Sequence, residues 1–315
     1  MQADGTGYSR AAKAVLIVNT RSRRGARSFR AAHGELKRLG IRLLASYPVH
    51  GERDLLRAVR ASLAGGARLL VVGGGDGTIS AVADALAQSD AVLGLLPLGT
   101  GNDFVRALGI PWDPVAACRV VAEGVPVPVP LARVNGIYYT GTALIGYPAH
   151  ANHTIPNWLK KAGGRLAYPL AALYALSHTR PFVAHLQVDE EVFALQTTVI
   201  AIGNGRYSGQ AELAAGWAPV PAGRLLVRLP RTPNRRALLR LGVDFALNRQ
   251  PSPELLLSLS GRTVSVTADP AQELDVDGEH RGWTPVRAAS VPAALRVLVP
   301  SAVAEYTAGR ASTAA

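Results

Sequence analysis

The stretch Val71-Val72-Gly73-Gly74-Gly75-Asp76-Gly77-Thr78-Ile79 constrains the fold more than any other part of the chain. An apolar run of strand length passes into four glycines within five residues. It then enters Thr78–Leu86, where Ile79, Val82, Ala83 and Leu86 recur at helical spacing. Four glycines exceed what a strand-to-helix turn requires, and they let backbone N–H groups approach a ligand with no Cβ in the way. The start of the helix adds positive potential, so the fitting ligand is a phosphate. Asp76 repels phosphate on its own, and its presence makes sense if it holds Mg2+ against the phosphates, directly or through water. The loop is neither a Walker A loop, lacking Gly-Lys-Ser/Thr, nor a dinucleotide fingerprint, since Gly73-x-Gly75-x-x-Thr78 lacks the third glycine.

The flanking pattern sets the fold class. Strands are expected at Ala14–Asn19, Ile41–Ser46, Leu69–Val72 and Ala91–Leu96. Helices are expected at Arg27–Leu39, Glu52–Leu63, Thr78–Leu86 and through Phe104 and Leu108. Strands apolar on both faces and separated by helices build a parallel sheet covered on both sides, with ligands beyond the carboxyl ends of its strands. A second loop, Leu96-Pro97-Leu98-Gly99-Thr100-Gly101-Asn102-Asp103-Phe104, also follows a strand and opens a helix. Thr100 and Asn102 can hydrogen-bond phosphate or ribose, and Asp103 is a second carboxylate for a metal–water shell; alone, the loop is also readable as a capped helix start. Val125–Pro130 (VPVPVP) forbids helix and reads as an extended connector. Beyond it, strand-like stretches dominate: Ile137–Leu144, Phe182–Val188, Val192–Ile202, Arg224–Leu229, Leu255–Ser260, Thr263–Thr267, Glu273–Val276 and Leu295–Val299. Helices are expected near Trp158–Leu176 and Arg235–Leu247, within a mostly antiparallel second domain.

Of the 34 basic residues only four are lysine, and the net charge is +12. Such a chain is drawn to anionic surfaces. No nucleic-acid-binding motif or basic run with interleaved aromatics is present, so an anionic membrane surface is favoured over nucleic acid. No segment reaches the roughly 18 apolar residues of a transmembrane helix, and the first ten residues lack the order of a secretion signal. A cytoplasmic protein that visits the inner membrane surface is expected. The single cysteine, Cys118, excludes a disulfide framework.

Gly74-Gly75-Asp76-Gly77-Thr78, then Pro97 to Phe104, then Asp277-Gly278-Glu279 resemble, in order, the soluble bacterial diacylglycerol kinase and sphingosine kinase family. Leu16 to Gly25 is similar to that family's first strand and Asn-Pro-x-Ser-Gly type loop, with Thr20 in place of the proline. Gly164 to Tyr168, Ile202-Gly203-Asn204-Gly205 and Leu298-Val299-Pro300 match further pieces. The resemblance implies an ATP-binding α/β domain over 1–128, with the tail 301–315 returning to it. It implies a C-terminal antiparallel β-sandwich over 129–300 for a lipid substrate, and an active site in the cleft between the domains. ATP, Mg2+ and a lipid hydroxyl, diacylglycerol-like, are the implied reactants, and a homodimer is compatible with it. Carried over position by position, Asn19, Gly74, Gly75, Gly77, Thr78, Thr100, Gly101 and Asn102 contact the nucleotide. Ser46, at the end of the second strand, stands where the family often has a nucleotide-contacting threonine. Asp76 and Asp103 serve the Mg2+–water network.

Asp277 is the implied base at the acceptor hydroxyl, with Glu279 beside it. In isolation, Asp275-Val276-Asp277-Gly278-Glu279 is equally readable as a hairpin turn. Three positions depart from the family. Ser80-Ala81-Val82 lacks the glutamate of Asn-Glu-Val, Pro130 replaces an aspartate before Ala132-Arg133-Val134-Asn135, and Pro221-Ala222-Gly223 replaces the Asp-Asp-Gly of a structural metal site, which is therefore expected to be missing. Two other functions stay open on the sequence: an NAD kinase, which shares the Gly-Gly-Asp-Gly-Thr loop, and a catalytically weakened lipid- or nucleotide-binding protein. His150 and His153 have a metal-compatible spacing without an evident carboxylate companion.

Overall fold

A computed structural model describes residues 13–21, 25–146, 180–207, 223–246 and 249–304. The chain divides into two compact units, Met1–Leu131 with Pro292–Ala315, and Ala132–Val291.

The first unit runs β1 (Ala14–Asn19), α1 (Gly25–Arg38), β2 (Leu43–Val49), α2 (Glu52–Ala64), β3 (Leu69–Gly74), α3 (Asp76–Leu86), β4 (Val92–Pro97), α4 (Asp103–Ala107) and α5 (Pro114–Glu123). Its sheet has the order β2-β1-β3-β4, all parallel. β3 and β4 are buried along their whole length and β1 up to Val18, which is why these runs carry no polar alternation. The helices are one-sided instead: α2 buries Leu55, Ala58, Val59 and Ser62, at i, i+3, i+4 and i+7. The chain steps from β1 outward to β2 and then back across β1 to β3. That reversal puts a topological switch point between the carboxyl ends of β1 and β3. Right-handed crossovers set α1 on one face and α2 and α3 on the other; α2 packs on α3, and α1 on α5.

The second strand differs from expectation. The sequence predicts an end at Ser46, before Pro48, but β2 continues to Val49. β2 is an edge strand, where a proline is tolerated because its missing N–H faces away from the ladder. A further difference lies at the C-terminus. β16 (Val286–Val299) is far longer than Leu295–Val299, and its Arg296 and Val297 pair in parallel with Val92 and Leu93 of β4. The chain therefore rejoins the first unit at residue 292 rather than 301.

The second unit holds the end of β5 (Val125–Val134), then β6 (Ile137–Tyr139), β7 (Thr142–Ile145), β8 (Phe182–Val188), β9 (Glu191–Thr197), β10 (Ile200–Gly203), β11 (Leu225–Pro230), α6 (Arg235–Ala246), β12 (Leu256–Gly261), β13 (Thr263–Asp269), β14 (Glu273–Val276), β15 (Glu279–Trp283) and the start of β16. VPVPVP is thus the first part of a strand. The expected strands Ile137–Leu144 and Val192–Ile202 each break in two, at Thr140-Gly141 and at Thr198-Val199. One antiparallel sheet has the order β12-β11-β10-β7-β14-β15. The other runs β9-β8-β13-β16, with β5 and β6 beyond β16. Alternate residues of both sheets share one core, Ala143, Ile145, Val227, Leu229, Leu274 and Val276 from the first with Phe182, Ala184, Leu186, Val264 and Val266 from the second. That is a β-sandwich. The buried Tyr139 hydroxyl donates to Ile202 O at 3.0 Å, so the aromatic ring fills the core without an unsatisfied polar end.

The expected helix Trp158–Leu176, His150, His153, Gly164 to Tyr168 and Pro221-Ala222 lie outside the described residues.

Candidate active site

The register of β1, β3 and β4 brings three loops to one edge of the first unit. Val18 is level with Gly73, and Gly74 with Pro97, so the residues after Asn19, Gly74 and Pro97 emerge side by side at the switch point. Asn19 Nδ2 donates to Thr78 Oγ1 at 3.0 Å, tying the end of β1 to the first turn of α3. Thr78 folds back so closely that a Cβ on Gly74 would overlap its side chain. The two glycine loops also interlock: a Cβ on Gly99 would stand 2.5 Å from Gly75 Cα, and one on Gly101 would stand 2.7 Å from Asp76 Oδ2. Gly77 is exposed, and a Cβ there would meet nothing within 4 Å. Its glycine answers no packing need within this loop.

Asp76 joins the loops through hydrogen bonds. Its Oδ2 accepts from Asn102 N at 2.7 Å and its Oδ1 from Asp103 N at 2.8 Å, so a carboxylate at the start of α3 satisfies two amides at the start of α4. Asn102 is fully buried and left-handed (φ 49°). Its Oδ1 accepts from Gly99 N at 3.0 Å and its Nδ2 donates to Gly99 O at 2.9 Å, so the side chain braces its own loop. Thr100 is exposed and Gly101 half-buried. α3 itself starts from Gly75 with no side-chain cap. The amides of its first turn consequently have no acceptor within the helix and suit an anion.

Burial first, and then the charge of Asp76, push the Asp103 carboxyl up from its ordinary value; Arg106, 3.9 Å away, pulls the other way. Two neighbouring carboxylates at such an edge fit the donor set Mg2+ takes, one or two protein oxygens with the rest from phosphates and water. Among the described residues no cluster of three or more His, Cys, Asp or Glu could hold a metal unaided. Ala81 on α3 brings no carboxylate, and Pro130 is buried in β5.

Ser46 does not stand at a strand end. It pairs with Leu16 in the middle of β2, three residues before Val49, or about 10 Å along the strand. Val49 is the residue level with Asn19, and beyond it Thr20 Oγ1 meets His50 Nδ1 at 3.1 Å. Position 50 therefore occupies the edge that the sequence assigns to Ser46.

In the second unit, Asp277 and Gly278 form the two-residue turn between β14 and β15. Both have positive φ, 50° and 90°, as a type I′ hairpin requires. The Asp277 carboxylate points across to the break between β6 and β7, where it accepts from Thr140 N and Gly141 N, both at 3.3 Å, and from Thr142 N at 2.7 Å. Gly141 is required there, because a Cβ would overlap Asp277 Oδ1. The backbone pair Asp277 N to Thr142 O, 3.1 Å, closes the arrangement. Glu279 is half-exposed and pairs with Arg281 at 2.5 Å. A carboxylate that sequence reasoning passed over is Asp275. It is 2% exposed, its Oδ1 accepts from Gly278 N at 2.8 Å, and its Oδ2 is buried without a hydrogen-bond partner. The only signal for it was its place two residues before Asp277.

Of the arginines before and on α6, Arg231 Nε donates to Pro253 O at 2.7 Å, while Arg236 and Arg240 are exposed beside Leu239 and Val243. No described helix is long and apolar enough to cross a membrane.

Known proteins share both units. The family model for the diacylglycerol kinase catalytic domain matches residues 13–134, and that for the YegS C-terminal NAD kinase beta sandwich-like domain matches residues 141–299. A Pseudomonas aeruginosa (PAO1) protein named "Probable lipid kinase YegS-like" is 33% identical over 291 residues, covering 91% of this chain and 94% of that one. A Mycobacterium tuberculosis (H37Rv) protein named "Diacylglycerol kinase" is 32% identical over 298 residues, covering 91% and 95%. The crystal structure of a diacylglycerol kinase from Bacillus anthracis str. Sterne superposes with a TM-score of 0.70 over 93% of this chain and 98% of that one, at 20% identity, a likeness of fold. With both domains matched along nearly the whole chain, the protein belongs to the YegS-like diacylglycerol kinase family of lipid kinases.

Proposed function

We propose that the protein transfers the γ-phosphoryl group of ATP to the hydroxyl of a lipid, with a diacylglycerol-like acceptor, and that Asp277 is the base. The observation that carries this reading is the Asp277 carboxylate, held by three backbone amides on a tight turn of the sandwich domain. Such an anchored carboxylate accepts the proton of an alcohol while the new P–O bond forms and the bond from the γ-phosphorus to the bridging oxygen breaks, leaving ADP. The amides of Gly77 and Thr78 at the start of α3, with the Asn19–Thr78 tie, are suited to hold the phosphates. When bound, Mg2+ neutralises charge on the transferring phosphates, and Asp76 and Asp103 are the residues to hold it. Most of the rate enhancement then comes from positioning and charge stabilisation.

The net charge of +12 supports work at an anionic membrane surface, and ATP as donor supports the cytoplasmic side. The test is transfer of label from γ-labelled ATP, with Mg2+, to vesicles of mixed lipid extract and of diacylglycerol in anionic phospholipid. Asp277→Asn should lower product formation by about 100-fold or more while leaving ATP binding intact. Equal turnover by the two proteins would overturn the base assignment, and, with NAD added to the same assay, label in NADP instead of lipid would overturn the acceptor. A catalytically silent binder is the second reading, favoured by Ala81 and Pro130; it predicts ATP binding with no labelled lipid at all.

A further inference from the structure

The mechanism proposed above makes no use of Asp275, the most deeply buried carboxyl group of the second unit's hairpin. Its neighbours Leu274 and Val276 point into the sandwich core, so Asp275 points from the opposite face of the sheet. It is 2% exposed there. One oxygen has a well-defined task, since Oδ1 accepts from Gly278 N at 2.8 Å. That bond spans from the last paired residues of β14 to the second residue of the turn, and so encloses Asp277, whose φ of 50° lies in the left-handed region that Asp tolerates in tight turns. The other oxygen, Oδ2, is buried with no hydrogen-bond partner. An ionised carboxylate in that position would leave its charge unsolvated, a far heavier penalty than leaving a neutral hydroxyl unpaired.

We propose that Asp275 is a positioning residue for Asp277 and that it works as a neutral carboxylic acid, with Oδ1 fixing the turn through Gly278 and Oδ2 carrying the proton. This rests on the reading of Asp277 as the catalytic base. Burial is the largest influence and raises the Asp275 carboxyl above its ordinary value; the Gly278 amide opposes it, the charges of Asp277 and Glu279 raise it further, and His280 lowers it. His280 lies directly across the hairpin from Asp275, and is exposed. Leu144 on β7 is its other cross-strand neighbour and carries no charge. Arg228 lies on the same cross-strand row through Ala201 and Leu144, three strands or about 14 Å away, and is not among the charges that act on Asp275. Asp277 thus remains the base, while the buried Asp275 holds the turn that carries it.

The test compares Asp275→Asn with Asp275→Ala in the full-length protein. Asn keeps an acceptor oxygen for Gly278 and is neutral, so kcat should stay within about threefold of wild type. Ala loses the acceptor, so kcat should fall at least tenfold while the KM for ATP stays the same, and the Gly278 amide should exchange at least tenfold faster with solvent. The carboxyl 13C resonance of Asp275 should report the protonated form at pH 7. Loss of activity in Asp275→Asn equal to that in Asp275→Ala, or a 13C shift of an ionised carboxylate at pH 7, would overturn the proposal. The exchange and 13C measurements do not depend on turnover. If the wild-type protein phosphorylates no lipid, they still decide the state of Asp275 and its hold on the turn, while the kinase reading fails separately.

Discussion

The clamp between the two glycine loops gives the sharpest prediction. Asp76→Ala deletes the acceptors of two hydrogen bonds, 2.7 Å from Asn102 N and 2.8 Å from Asp103 N, and leaves both amides at the start of α4 without a protein partner. A hydrogen bond to an ionised group contributes about 1.5–3 kcal/mol net. The site is half-buried, so the lower end applies, and the pair amounts to about 3 kcal/mol. For a unit of this size that corresponds to a fall in Tm of about 6–12 °C. Asp76→Asn keeps one acceptor oxygen but turns a donor toward the other amide, and should lose at least half as much. Urea unfolding followed by circular dichroism, with no nucleotide or metal present, measures this without any reference to catalysis. An Asp76→Ala protein that unfolds within 0.5 kcal/mol of wild type, a change about the size of a neutral surface substitution, would refute the claim that this carboxylate holds the loops together.

Gly99→Ala should be destabilising by about 1–3 kcal/mol and should weaken ATP binding, because its Cβ would meet the backbone of Gly75, which cannot yield as a side chain does; calorimetric titration with ATP checks it. Gly141→Ala should displace the Asp277 carboxylate and lower kcat with little change in the KM for ATP, since the two glycine loops lie in the other unit. Asp103 binds its proton more tightly in the folded protein than in the unfolded chain, so the folded state takes up more protons in that window. Its contribution to stability is therefore lost as pH rises from the ordinary carboxylate value through the raised one, and Asp103→Asn should flatten that part of a Tm-against-pH curve. Cys118 is fully buried, and burial, followed by Glu35 and Asp113, pushes its thiol up to about 12. It should resist iodoacetamide at pH 8 in the native protein and react fully in guanidinium chloride.

The α/β unit was readable because its strands are buried on both faces and its helices on one, so the two hydropathy patterns cannot be confused at β1, β3, β4 or α2. The glycine loops were readable for a related reason: Gly74, Gly99 and Gly101 sit where any side chain would collide. What escaped was whatever depends on a strand's neighbours. Pro48 breaks a central strand but not an edge one, and periodicity does not say which strand is the edge; Ser46 was misplaced for that reason. VPVPVP likewise reads the same as linker or as strand. The alternating acids Asp275, Asp277 and Glu279 carry no mark of their separate fates. Only the register of β14 against β7 and β15 decides that one is buried, one is bound by amides, and one faces solvent beside Arg281.

β16 has a consequence for how the chain is made. β4 receives its outer partner from Arg296 and Val297, 204 residues downstream (296 against 92, and 297 against 93). Until those residues leave the ribosome, the α/β unit has a bare, apolar parallel edge, the kind of surface that recruits strands from other chains. A fragment ending at Val134, where the N-terminal family model stops, should for that reason be poorly soluble when expressed alone. Supplying Val286–Val299 as a separate peptide should restore solubility in proportion to its occupancy. Synthesis of the two units is thus sequential, but completion of the first waits for the end of the second.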